Sequence, residues 1–127
     1  MITAYDGKTL VEINAPLHMS WQQAFDECAD KGTTLVTYPR TLKERVALTI
    51  RRHRWFYVDL QRQDDGSYSS VNTNMVLPSD HDFQWLRGNP NNGTQKCIGM
   101  GGIPMVVYDY PCNLVDEWDF SLFCLAE

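Results

Sequence analysis

No run of apolar residues in this 127-residue chain approaches the roughly 20 needed to cross a bilayer. Membrane insertion is therefore not expected. Positive charge is also scarce. The chain has 11 Lys and Arg against 16 Asp and Glu, a net charge of -5. A nucleic acid or an anionic membrane surface would favour a basic face, so neither is an expected partner. The first residues, Met1 to Leu10, have no basic start and no apolar stretch of signal length, so a secreted form would have lost its signal. There is no Cys-x-x-Cys pair, and His18, His53 and His81 do not repeat at metal-ligand spacing. That disfavours a structural zinc site. Gly-x-Ser-x-Gly, Walker and His-Glu-x-x-His motifs are all missing. Asp64-Asp65 and the Asp80/Asp82 pair lie among turn residues, where turn formation explains them. An enzyme is not expected.

What is present is ordinary for one globular domain. The apolar fraction is 43%, and a chain of this length buries roughly two-thirds of its unfolded surface. Residues 1–127 are read as a single domain. The four cysteines are Cys28, Cys97, Cys112 and Cys124. An even count without metal spacing suggests two disulfides and an oxidising compartment. The rival is a cytosolic protein with four buried thiols. Three pairings are open.

The spacing predicts an early strand within residues 5–13, broken by an Asp6-Gly7 turn. Ser20 is a good N-cap, and Trp21, Ala24, Phe25 and Cys28 follow at helical intervals. Helix one is expected over 21–31, with Gly32 as its stop. A second helix is expected from the cap Thr41, with Glu44 completing a capping box and Leu42, Val46 and Ile50 as its apolar stripe. Residues 55–60 read as a strand. Residues 67–92 carry many Asn, Ser, Asp and Pro and show no helical period, and so long an irregular stretch is usually functional. Late strands are expected over 96–100, 105–108 and 120–125. The order gives an α+β fold.

At these positions the chain resembles the C-type lectin family. Ser20-Trp21-x-x-Ala24-x-x-x-Cys28 is similar to that family's first helix. Tyr57-Val58-Asp59-Leu60 resembles its Trp-Ile-Gly-Leu strand, with two of four residues changed. The segment from Trp85 to Asn92 resembles its Trp-x-x-Gly-Glu-Pro-Asn-Asn segment. Cys97, Cys112 and Phe123-Cys124 fit the closing cysteine pattern. There is no additional N-terminal cysteine pair, which marks a short form. The run Val76-Leu77-Pro78-Ser79-Asp80 looks most like small invertebrate lectins of the galactose-binding tunicate type. The resemblance implies two helices flanking antiparallel sheets, long irregular loops, and the pairings Cys28–Cys124 and Cys97–Cys112. A brace across the second loop is worth about 3 kcal/mol in the chain-entropy model.

The resemblance also implies a calcium ion bridging the long loops to a sugar's vicinal hydroxyls. Calcium takes about 6–8 oxygens, so two can come from the sugar. Carried over residue by residue, the implied ligand set here is Asn89, Asn91, Gln95 and Asp109, with Tyr108 where the family has an amide. Pro90 stands where the family holds a cis bond. Lys96 replaces an acidic neighbour. Asp109 is the single carboxylate left. Affinity follows ligand charge, so calcium is expected to bind at millimolar strength or not at all. Asn-Pro-Asn matches neither usual sugar-selecting tripeptide. Asn92-Gly93-Thr94 is a glycosylation sequon beside this site.

Trp21, Trp55 and Trp85 fall in apolar patterns and are read as core. Trp118, in the acidic run Asp116-Glu117-Trp118-Asp119, is a candidate exposed contact. Arg51, Arg52 and Arg54 are read as a solvated helix end, with an anionic ligand the alternative. Three functions fit. The first is a secreted or extracellular lectin that binds a glycan or glycoprotein through a weak or absent calcium site. The second is a calcium-independent module with a protein ligand. The third is a structural or assembly module. Single sugar sites are weak and linking multiplies them, so a homodimer is expected.

Overall fold

The computed structural model describes residues 3–5, 7–13, 18–39, 55–77, 85, 96–101, 106–115 and 121–127. The chain enters through β1 (Thr3–Tyr5) and β2 (Lys8–Ile13), two strands joined at Gly7. Gly7 has φ of +73°, a conformation in which a side chain is strained. The early strand expected from sequence is thus a hairpin.

Helix α1 spans Trp21–Asp30. Ser20 caps it: its hydroxyl accepts from the Gln23 amide at 3.1 Å, and the Gln23 side chain accepts from the Ser20 amide at 2.9 Å. Both exchanges satisfy first-turn donors that the helix itself cannot. The buried stripe is Trp21, Ala24 and Cys28. The helix ends at Gly32, whose φ is +72°. It is the one helix among the described residues. The second expected helix, beginning at Thr41, lies outside them, as do Arg51, Arg52 and Arg54.

After α1 come β3 (Thr34–Leu35), β4 (Phe56–Arg62), β5 (Tyr68–Ser69), β6 (Cys97–Gly101), β7 (Val106–Tyr110) and β8 (Leu122–Ala126). They form two sheets, ordered β1-β2-β8-β3 and β5-β4-β6-β7. All their strand pairings are antiparallel. The late strands agree with expectation to within two residues. The stretch 67–92 is less irregular than expected. β5 falls inside it, and Ser69 bridges Val76.

Two buried clusters form among the described residues. One gathers Tyr5, Leu10, Phe123 and Leu125 from the first sheet with Phe56, Val58, Leu60, Tyr68, Ile98, Met100 and Val107 from the second. The other sets Trp21, Ala24 and Cys28 of α1 against Tyr57, Tyr108 and Leu122. Alternation along β4 decides the split, because successive side chains of a strand point to opposite faces. Trp21 also donates its indole N–H to the Val58 carbonyl at 2.7 Å, so the buried ring leaves no polar atom unmet.

The four cysteines form Cys28–Cys124 and Cys97–Cys112. The first ties α1 to β8 across 96 residues. The second closes 15 residues around β6 and β7. Four buried free thiols are excluded.

Candidate ligand site

The β6–β7 hairpin is the frame of the candidate site. Cys97 opens β6, Cys112 follows β7, and their bond clamps the open end. Gln61 of β4 lays its amide nitrogen against both sulfurs, at 3.3 and 3.8 Å. The Gln22 amide donates to the Cys112 carbonyl at 3.0 Å, which ties the hairpin to α1.

The far side of the hairpin is held by aromatic packing. Tyr108 lies directly opposite Gly99. A Cβ at Gly99 would come within 2.4 Å of the Tyr108 ring, so only glycine admits that ring here. Trp55 meets Tyr108 edge-on with centroids 5.3 Å apart, and Tyr110 does so at 6.1 Å.

Asp109 sits on the other face. It stands opposite Ile98, and it is 2% exposed. Its near neighbour on the same face, Val107, belongs to the core cluster shared by the two sheets. Tyr108 and Asp109 therefore point in opposite directions.

Trp85 also packs on this frame. It forms a parallel bridge with Val107, two residues before Asp109, and its ring lies 6.1 Å from that of Tyr68. Tyr68 is buried, and its pKa is raised, first by desolvation and then by the negative charge of Asp109, with Arg62 acting the other way. Lys96 turns outward, half exposed, with its ammonium 4.0 Å from Asp64. It does not crowd Asp109. Asn89, Asn91, Gln95, Trp118 and the Asn92 sequon all lie outside the described residues. Of the expected ligand set, Asp109 is the member the structure places.

A calcium site of useful affinity needs several charged oxygens converging. Among the described residues no three His, Cys, Asp or Glu side chains come together. The expected donors are one buried carboxylate, three amides and a phenol. That set does not fit a tight calcium site.

One residue outside the expected site organises the neighbouring loop. Asp59 of β4 is 1% exposed. It accepts from the Ser70 hydroxyl at 2.7 Å, the Val71 amide at 2.9 Å, the Asn72 amide at 3.2 Å and the Asn72 side chain at 3.0 Å. These bonds pin the turn that follows β5. The role is not among those expected from the sequence. The available signal was an acid inside the apolar run 56–60, followed by a turn rich in Ser and Asn.

A family model described as the Lectin C-type domain matches residues 17–118. The chain belongs to the C-type lectin domain family. Solved structures agree in fold. The C-type lectin domain of murine dendritic cell inhibitory receptor 2, solved in complex with N-glycan, is 16% identical with a TM-score of 0.76, covering 99% of this chain and 95% of that one. The cow C-type carbohydrate-recognition domain of CD23, in the presence of an oligosaccharide, is 23% identical with a TM-score of 0.71, covering 99% and 94%. A calcium-independent type II antifreeze protein is 18% identical with a TM-score of 0.71, covering 98% and 89%. At these identities the likeness carries the fold of this C-type lectin domain and not its ligand. No curated protein matches the chain by sequence. No helix among the described residues is long and apolar enough to cross a membrane.

Proposed function

We propose that this C-type lectin domain is a single extracellular recognition module, and not an enzyme, that binds a glycan or the glycan of a glycoprotein with little or no help from calcium. The site is centred on Asp109, Asn89, Asn91 and Gln95, with Trp118 an additional contact. The observation that carries this reading is the bracing of the frame. A disulfide, a helix contact and the Trp85 bridge all hold the hairpin that carries Asp109. Ordering a loop costs about 1–2 kcal/mol per residue, so a rigid frame lowers what a ligand must supply. The two disulfides fit secretion into an oxidising compartment. A homodimer would add the avidity that one shallow sugar site lacks.

Melting curves with a sugar panel that includes galactose and mannose test this, each run in calcium and in chelator. A ligand that prefers the folded state raises the midpoint by linkage. A sugar-dependent rise in either condition supports the reading, and a flat panel in both opposes it. A protein ligand is the second reading. It is favoured by the exposed apolar side chains Val71, Met75, Val76, Leu114 and Val115, since exposed apolar surface can mark contact sites.

A further inference from the structure

The two disulfides differ in their surroundings. Cys28 and Cys124 are both 0% exposed, within the cluster between α1 and the sheets. Cys97 is equally sealed, but its partner Cys112 is only partly buried and packs against that cluster from outside. Gln61 stands opposite Cys97 in the β4–β6 pairing, and its amide nitrogen lies 3.3 Å from the Cys97 sulfur and 3.8 Å from that of Cys112. A disulfide sulfur is a weak acceptor, so this donor gains little while the bond is closed. A thiolate accepts far more strongly, because charge strengthens a hydrogen bond. The donor at Cys97 therefore suits the opened bond better than the closed one.

The bond also holds more than the hairpin. β6 and β7 pair as far as Cys97 and Tyr110, so Cys112 lies past the ladder. Its carbonyl nonetheless accepts from the Gln22 amide at 3.0 Å. That amide is one of the first-turn donors that α1 cannot satisfy internally. Ser20 serves the next one, Gln23. Cys112 is thus a second cap of α1, anchored to β6 by its disulfide.

We propose that Cys97–Cys112 is a thiol-operated clasp: a solution thiol enters at Cys112, Cys97 leaves as a thiolate held by Gln61, and opening the bond releases the cap on α1. Exchange runs by attack of a thiolate on one sulfur, and access decides which sulfur is attacked. The incoming sulfur bonds to Cys112 Sγ. The Sγ–Sγ bond breaks, and its electron pair departs on Cys97, which then takes a proton from water. A second thiol attacks the mixed disulfide and expels Cys112. Two thiols are oxidised to one disulfide while the protein bond is reduced to two thiols. A buried thiolate is costly without a donor, and Gln61 supplies one. Cys28–Cys124 stays closed because neither of its residues is exposed. The inference does not depend on any glycan.

The test is exchange of the native domain with glutathione, quenched with iodoacetamide and read by peptide mapping. Cys97–Cys112 should open first, with Cys28–Cys124 intact and the circular dichroism spectrum kept. The trapped mixed disulfide should sit on Cys112, and the rate should rise in proportion to glutathione. Gln61→Leu should slow the native exchange about tenfold, the share of a charged hydrogen bond felt by the leaving sulfur, and leave the rate in urea unchanged. Hydrogen exchange after selective opening should show the Gln22 amide less protected and the β2–β8 amides unaltered. Both disulfides opening together, glutathione carried on Cys97, or a rate independent of glutathione would each overturn the proposal. So would Gln61→Leu exchanging at the wild-type rate, or Gln22 keeping its protection. If Gln61→Leu does not fold, the order of opening, the adduct position and the concentration dependence in wild type decide.

Discussion

Replacing Asp59 tests whether the turn after β5 is held by one buried carboxylate. Asp59→Asn keeps the volume and exchanges one acceptor for a donor. Three donors meet Oδ2: the Ser70 hydroxyl, the Asn72 amide and the Asn72 side chain. One donor, the Val71 amide, meets Oδ1. An amide must therefore turn its oxygen to the trio and its NH2 toward the Val71 N–H. That leaves two donors facing each other. A hydrogen bond to a charged group is worth about 1.5–3 kcal/mol, and an orphaned buried donor costs about 1–3 kcal/mol. The Ser70 bond is buried, whereas the other three are partly open to water, which can replace some of them. On those magnitudes the expected loss is about 2–3 kcal/mol for Asp59→Asn and about 3–4 kcal/mol for Asp59→Ala. Urea unfolding reads this as a midpoint lowered by about 1–2 M at unchanged slope. Asp59→Asn within about 0.5 kcal/mol of wild type, the range of ordinary surface changes, would show the four bonds to be interchangeable with water and the turn to be held by something else.

Three further outcomes follow from the same structure. Replacing Cys97 and Cys112 together by Ala should cost about 3 kcal/mol, since the bond closes 15 residues; thermal unfolding beside wild type checks it, and no loss would mean the hairpin does not need its clamp. Tyr68 has a folded pKa above its usual 10.0, so its contribution is intact below pH 10 and is lost as pH rises through the folded value. Tyr68→Phe should flatten the alkaline fall in stability, and an unchanged slope would contradict the burial argument. Gly99→Ala should cost about 1–3 kcal/mol by overpacking against Tyr108, whose ring is confined by Trp55 and Tyr110; the double variant with Tyr108→Ala should recover part of the loss.

Local grammar made much of the fold readable. Ser20 as cap, the Trp21–Ala24–Cys28 stripe and Gly32 as stop are all short-range signals, and α1 follows them within a residue. The late strands were readable because their apolar runs are bounded by turn residues. The cysteine pairing came from family resemblance, because spacing alone left three choices. The two-residue strands β3 and β5 were not readable, since each is defined by its partner and not by its own pattern. The site was harder for the same reason. Asp59 reaches residues more than ten positions away. Arg62, Tyr68 and Asp109 share a face only through a register that spans β5, β4, β6 and β7. The opposite facing of Tyr108 and Asp109 was available from simple alternation once the strand was known.

Metal-independent recognition at Asp109 is decided by a glycan array probed with the disulfide-intact domain in matched calcium and EDTA buffers. A defined set of glycans should bind in both, with affinities that agree between the two buffers. Binding that vanishes in EDTA would contradict recognition without metal. Binding to no glycan in either buffer would contradict the lectin reading itself.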